Sequence, residues 1–270
     1  MKLLFSEATP DYGHYLFPYC IWAFPEEGET ASDLFEAGFL PASRQLDRFY
    51  MCRQVRVRLH GFTSSSENRR ILRKGEGLKI EVVPRKGFRF TAQRREAFLQ
   101  FADAKFGPGV MTAERLDHLM HSPLVSHLML FTEEATGRHL GAVTLFLEPP
   151  RTAFYYYAFY DLDGAVPNLG MFMMTSAVAH FAAAGYQHLY LGSVYSRNAL
   201  YKTQFQGAEC FNGFRWSDNL SELKHLLQRD AARQDHHLLE SAEFLQTFYD
   251  RDVAALAATH GMRCNQPRPT

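Results

Sequence analysis

The run NLGMFMMTSAVAHFAAAGYQHLYLG, Asn168–Gly192, decides how this chain folds. Its first part is apolar on nearly every face and stops at Gly185, as a helix buried all round and ended by a glycine does. QHLYLG behind it has the length and side chains of a strand. Upstream, SHLMLFTE, HLGAVTLFLE and TAFYYYAFYD each read as strands. A turn around Thr136 and Gly137 joins the first pair, and one around Pro149 and Pro150 joins the second. Downstream, SRNALYKTQF reads as a short helix and AECFNGFRW as a last strand. The order β-β-β-α-β-α-β predicts an α+β fold with a mixed, mainly antiparallel central sheet and flanking helices.

Before this core the pattern is looser. Residues 12–43 read as loop-rich, with aromatic residues around Cys20 and acids at Glu26, Glu27 and Glu29. FYMCRQVRVRL alternates as a strand does, with Val55, Val57 and Leu59 on one face and Arg56 and Arg58 on the other. SSSENRRILRK reads as a Ser-capped basic helix and LKIEVVP as a short strand. TAQRREAFLQFADAKF predicts a helix capped by Thr91, with Phe98, Phe101 and Ala102 inward, and TAERLDHLMH a shorter one. From Asp218 onward the chain reads as helical, ending in a polar, Pro-containing tail.

With 270 residues, 46% of them hydrophobic, the chain has material for a real core. Its net charge of +0 hides an uneven distribution. Between Arg44 and Arg95 stand fifteen Arg or Lys against four acids, about +11, balanced by the rest of the chain. Such a block suits a polyanion, and equally a solvated face paired with the acidic remainder. No run approaches eighteen apolar residues, and MKLLFSEATPDYGHYLF lacks a signal-peptide pattern, so the expectation is a cytosolic protein.

The motifs exclude several chemistries. Four scattered cysteines without a CxxC argue against a disulfide scaffold or a self-evident zinc site. None of the twelve histidines, the adjoining His236 and His237 or the pair His118 and His121 included, has a helical metal-site pattern. No GxSxG, P-loop or GxGxxG occurs. The order of elements is that of a GNAT-type acyltransferase, which seats an activated acyl donor between splayed strands. An acyl-CoA donor, however, calls for a basic residue and a close glycine pair before the helix, and LDGAVPNLGMF offers only Gly164 and Gly170. Tyr160 and Asp161 end the central strand, where substrates sit in open sheets, and Asp161 could orient or deprotonate an amine or simply cap the turn.

Specific motifs then point to a family. Leu189, Tyr190, Leu191 and Gly192, followed by Tyr201, Lys202 and Phe205, resemble the Y-L-Y-L-G and M-x-Y-K-x-x-F motifs of aminoacyl-tRNA–protein transferases. GAECFNGFRW approximates the family's closing G-x-x-x-x-x-G-x-W. Upstream, Gly38, Phe39, Ser43, Cys52, Val55, Arg56, Val57, Phe62, Ser65, Arg69 and Arg70 fall on family positions, as does Cys20 in PYCIW. The likeness runs over residues 12–217. There are departures: Phe49 stands where a cysteine partner of Cys52 would be, Ser66 replaces a common basic residue, and the helices after Asp218 extend the chain.

The resemblance implies a GNAT-like enzyme that moves arginine or leucine from charged tRNA to the N-terminal amine of a protein beginning with Asp or Glu, a step of the N-degron pathway. It implies a basic tRNA-binding region over residues 1–90, a catalytic domain over 91–217 and a helical extension over 218–270. Arg56, Ser65, Arg69, Arg70, Arg73, Lys74 and Arg197 would hold the tRNA. Asp161 with Tyr160 would steer the amine, and Lys202 with Tyr201 would face the donor or the acidic acceptor residue. Some members hold an iron–sulfur cluster or zinc on four N-terminal cysteines. With only Cys20 and Cys52 matching, and His14 needed as an added ligand, the expectation is no metal and no cofactor beyond aminoacyl-tRNA as co-substrate. The competing readings are an acyl-CoA-dependent GNAT enzyme and a non-catalytic RNA- or protein-binding descendant.

Overall fold

The computed structural model describes residues 1–12, 19–162, 166–230 and 238–258. The N-terminal region is more ordered than its composition suggests. Strands β1 (Lys2–Glu7), β2 (Tyr19–Phe24), β3 (Phe39–Pro41) and β4 (Phe49–Met51) form a four-stranded sheet in the order β1-β2-β4-β3, with helix α1 (Ala31–Glu36) between β2 and β3. The loop-rich reading of 12–43 is therefore corrected. These strands are short, and α1 is a six-residue helix set by a capping box of Thr30 and Asp33, so no periodicity had room to show.

The alternating run over 49–59 is likewise two strands. β4 ends at Met51, and β5 (Gln54–Arg58) belongs to a second sheet of eight strands. Val55, Val57 and Leu59 are all but fully buried, as the alternation predicts. The basic helix follows as α2 (Ser66–Arg73), with Ser65 Oγ accepting from the Asn68 N–H, and then β6 (Leu78–Pro84). Helices α3 (Ala92–Phe106) and α4 (Ala113–Met120) are capped by Thr91 and Thr112, and Phe98, Phe101 and Ala102 are buried.

The core then assembles in the expected order: β7 (His127–Glu133), β8 (His139–Glu148), β9 (Thr152–Tyr160), α5 (Leu169–Ala183) and β10 (His188–Ser193). The run AECFNGFRW splits at Gly213 into β11 (Ala208–Phe211) and β12 (Trp216–Ser217), a hairpin instead of one strand. Helices α6 (Leu220–Arg229), α7 (Ala242–Tyr249) and α8 (Val253–Ala258) close the described chain. The sheet order is β12-β11-β5-β10-β9-β8-β7-β6, so β5 and β6, from the first ninety residues, are built into it. Every pairing is antiparallel except β9 with β10. The α+β fold with a mainly antiparallel sheet is what the chain adopts.

Helix α5 is apolar on nearly every face because most of it is covered, by the sheet on one side and α2 on another, and its last turns expose His180 and Ala183. The approach to α2 is close: a Cβ at Gly75 would lie 2.0 Å from the Phe172 ring. On the opposite face of the sheet, α3 and α4 cover a second core containing Leu130, Ala142 and Phe159. Two cores with one sheet between them leave the strand ends as the place where substrates can enter. No helix among the described residues is long and apolar enough to cross a membrane.

Candidate active site

The one parallel pair holds for three residues only, His188 to Tyr190 against Thr152 to Phe154. Past that point β9 runs on to Tyr160, while β10 changes register against β5 between Tyr190 and Gly192. Gly192, at φ +82°, permits this bulge. The two strands thereby stop pairing in the middle of the sheet, and the gap between their carboxyl ends is where side chains gather.

Lys202 stands at the carboxyl end of β10. It lies in a short 3₁₀ segment, Arg197–Thr203, and its Nζ donates to the Ser193 carbonyl at 2.8 Å. A Cβ at Gly192 would come within 3.8 Å of that nitrogen. Burial lowers the Lys202 pKa from 10.5 to about 8, with the nearby Cys52 thiol a smaller, opposing influence. Tyr201 beside it is 45% exposed, so the pair presents one phenol to solvent and one ammonium to the interior.

Tyr160 sits at the end of β9 with its ring 4.6 Å from that of Phe101, and its hydroxyl is so close to Gly170 that a Cβ there would meet it at 2.7 Å. The start of α5 is thus pressed against Tyr160. Tyr155, a buried phenol whose pKa burial raises well above 10, has both Tyr160 and Tyr201 within electrostatic reach. Tyr155 joins the site because β9 carries a bulge: Leu145 pairs with Tyr155 and Thr144 with Tyr157, leaving Tyr156 as the extra residue. The side-chain alternation flips there, so Tyr155 and Tyr160 both touch the α5 side.

Asp161 follows β9, its N–H donating to the Leu140 carbonyl at 2.8 Å and its carboxylate 3.6 Å from the Arg138 guanidinium. With Tyr160 it lines a cavity of about 440 Å³ between α3 and the ends of β8 and β9, walled by Phe98, Phe101 and Phe159. Tyr160 and Asp161 are therefore together, and so are Tyr201 and Lys202, with Tyr155 linking the two sets.

The residues assigned to tRNA divide. Arg69, Arg70 and Arg73 are exposed on α2, Lys74 follows them half-buried, and Ser65 caps the helix. Arg70 is paired with Glu67 at 2.5 Å, and Arg69 donates to the Ser64 carbonyl. Arg197 is exposed at the start of the 3₁₀ segment. Arg56 is different: its side chain is largely buried, 2.7 Å from Glu209 and stacked at 4.0 Å on Trp216. It joins β5 to the β11–β12 hairpin and presents little charge to solvent.

Sequence reasoning missed a further group beside Lys202. Arg53 forms a bidentate pair with Asp230, its guanidinium lies 5.1 Å from the Tyr195 ring, and its N–H donates to the Tyr195 hydroxyl at 2.6 Å. This group ties the end of α6 to the link between β4 and β5, next to Cys52, and to the segment after β10. A basic residue between two strands and an aspartate at a distant helix end carry no signal that they meet. Cys20 lies on β2 and the buried Cys52 just beyond β4. Burial raises the Cys52 thiol pKa, and no set of three metal-ligating side chains occurs among the described residues. Two sulfurs cannot complete a four-sulfur cage, so these donors do not fit a cluster. His14, His236 and His237 lie outside the described residues.

The separation of β9 and β10 at their carboxyl ends, with Lys202 at the end of β10, is the kind of place where open sheets seat substrates. No protein-family model matches the chain. It is 30% identical over 172 residues to an aspartate/glutamate leucyltransferase of Methylorubrum populi, covering 58% of this chain and 68% of that one. A Pseudomonas paraeruginosa aspartate/glutamate leucyltransferase is 28% identical over 203 residues, 71% of this chain and 84% of that one. Among solved structures, the C-terminal domain of a lysylphosphatidylglycerol synthetase-type protein from Agrobacterium fabrum is similar with a TM-score of 0.41 and 18% identity, over 60% of this chain and 50% of that one. The chain belongs to the aminoacyl-tRNA–protein transferase family, whose curated members it matches are named aspartate/glutamate leucyltransferases.

Proposed function

We propose that this protein transfers leucine from leucyl-tRNA to the α-amine of proteins that begin with Asp or Glu. The observation that carries the reading is the placement of Lys202 on the Ser193 carbonyl at the carboxyl end of β10, in a sheet where β9 and β10 stop pairing beyond Tyr190 and the basic helix α2 packs on α5. Because the aminoacyl ester is already activated, the protein has to position two substrates and manage one proton. In this reading, the neutral α-amine attacks the ester carbonyl. The new C–N bond forms, the ester C–O bond breaks, and the tRNA ribose oxygen leaves as a hydroxyl carrying the proton the amine gives up. Asp161 holds the amine and takes its proton, which solvent returns to the ribose oxygen, while Lys202 and Tyr201 face the ester and its leaving oxygen. Arg69, Arg73 and Lys74, with Arg197, contact the acceptor arm, and a tRNA substrate places the protein in the cytoplasm. The reading calls on no cluster, since two matching cysteines fall short of a four-sulfur cage.

The test is incubation of the full chain with labelled leucyl-tRNA and a peptide starting with Asp. Transfer of label to that peptide, and not to one starting with Asn, is the expected result. No transfer with leucyl-, arginyl- or phenylalanyl-tRNA would refute the reading. A thermal shift with acetyl-CoA but not with tRNA would favour an acyl-CoA-dependent enzyme instead.

A further inference from the structure

The cavity between α3 and the strand ends has a feature that its apolar walls do not explain. Arg94, in the first turn of α3, lines it half-buried. Its guanidinium donates to the Arg89 carbonyl at 2.7 Å, contacts His139 Nε2 and lies 4.7 Å from the Phe88 ring. No carboxylate among the described residues pairs with it. Burial, with Arg89 nearby, lowers its pKa, so the site holds a cation at a cost. His139 shares the rim, its own pKa lowered by burial and then by Arg94, which leaves a neutral ring as the arginine's acceptor. A half-buried arginine that meets no acid, aimed into a cavity of about 440 Å³, is suited to an incoming carboxylate.

The remaining lining fits the other parts of one ligand. Asp161 supplies an anion, and Phe98, Phe101 and Phe159 supply an apolar floor. We infer that this cavity receives the N-terminal residue of the acceptor protein, with Arg94 reading its side-chain carboxylate, Asp161 its α-amine, and the phenylalanines the apolar part of the residue that follows. The inference rests on the transfer reading above and deepens it. It moves recognition of the acidic residue away from Lys202 and Tyr201, across the sheet, to α3. The acceptor then enters from the α3 side and the aminoacyl-tRNA from the α5 side. Tyr160 belongs to both cores and marks where the two substrates meet.

The experiment compares steady-state transfer by the full chain and two variants, with an Asp-initial peptide and leucyl-tRNA varied separately. Arg94→Gln removes the charge. Ala97→Glu, one helical turn on and also lining the cavity, gives Arg94 an internal counter-ion without deleting it. Each should raise KM for the peptide on the order of tenfold or more, with KM for leucyl-tRNA unchanged, and Arg94→Lys should recover part of the loss. A peptide KM within about twofold of the parent in both folded variants overturns the inference. Peptide binding measured calorimetrically without tRNA separates the two readings. If the parent transfers nothing but binds the Asp-initial peptide, and Arg94→Gln abolishes that binding, the transfer reading fails and the cavity assignment stands.

Discussion

Replacing Lys202 with methionine isolates what the fold does to this side chain. The fall in its pKa from 10.5 to about 8 corresponds to about 3 kcal/mol disfavouring the ammonium in the folded chain, an upper bound because the residue is only partly buried. Its hydrogen bond to the Ser193 carbonyl, about 1.5 kcal/mol for a charged donor, is lost in the variant and offsets part of the gain. The sign follows from proton linkage. Below about pH 8 the lysine is charged in both states and the folded chain bears the full cost, so Lys202→Met is the more stable protein by about 1 kcal/mol. Between about pH 8 and 10.5 the folded lysine loses its proton while the unfolded one keeps it, and the parent gains stability relative to the variant. Urea unfolding of both proteins at pH 7 and pH 10 should show their difference moving by about 2 to 3 kcal/mol in the parent's favour. The variant should transfer no leucine at either pH. A difference that stays constant with pH within about 0.5 kcal/mol would refute a lysine held partly desolvated at the end of β10.

Two further substitutions test what holds the site. Glu222 is 3% exposed and accepts from Ser217 Oγ at 2.6 Å, Asn212 Nδ2 at 2.7 Å and the Tyr249 hydroxyl at 2.6 Å, so Glu222→Ala should cost about 3 kcal/mol in urea and speed proteolysis in α7. Gly75→Ala would drive a Cβ into the buried Phe172 ring, and a loss of about 1 to 3 kcal/mol is expected; thermal unfolding decides it, since a glycine with room beside it would instead gain stability on becoming alanine.

The core of the fold was legible because its elements are long. Helix α5 and strands β7, β8 and β9 each extend over enough residues for burial to impose a pattern. The motif around Lys202 was legible too, as a family likeness. Its geometry was not, since a lysine over a carbonyl depends on Gly192 turning the strand. Tyr155 was hidden for a related reason. Simple alternation puts it opposite Tyr160, and only the extra residue at Tyr156 brings the two to one side. Short elements failed differently: β3 and β4 are three residues each and owe their existence to pairing with each other and with β2. Arg94 drew no notice among fifteen basic residues, because what distinguishes it is that no carboxylate among the described residues pairs with it, which no spacing encodes.

The basic segment itself changes meaning once folded. Among the described residues, six of its fifteen cations have a carboxylate within 4 Å: Arg53, Arg56, Arg58, Arg70, Lys79 and Arg95. Three of the acids, Asp117, Glu209 and Asp230, come from later in the chain, so part of the sequence-level excess is an internal match between the two halves. The charge left over does not form one field. Arg69, Arg73 and Lys74 belong to α2 and its C-cap, beside the start of α5, whereas Arg89 and Arg94 stand at α3 on the other face of the sheet. A protein that only bound RNA would gain from merging these groups, because affinity for a polyanion grows with the number of phosphates neutralised together. A transferase with two anionic substrates needs them apart, one on each side of the strand end where the bond is made. The separation of the two basic groups by the sheet therefore favours transfer over simple RNA binding.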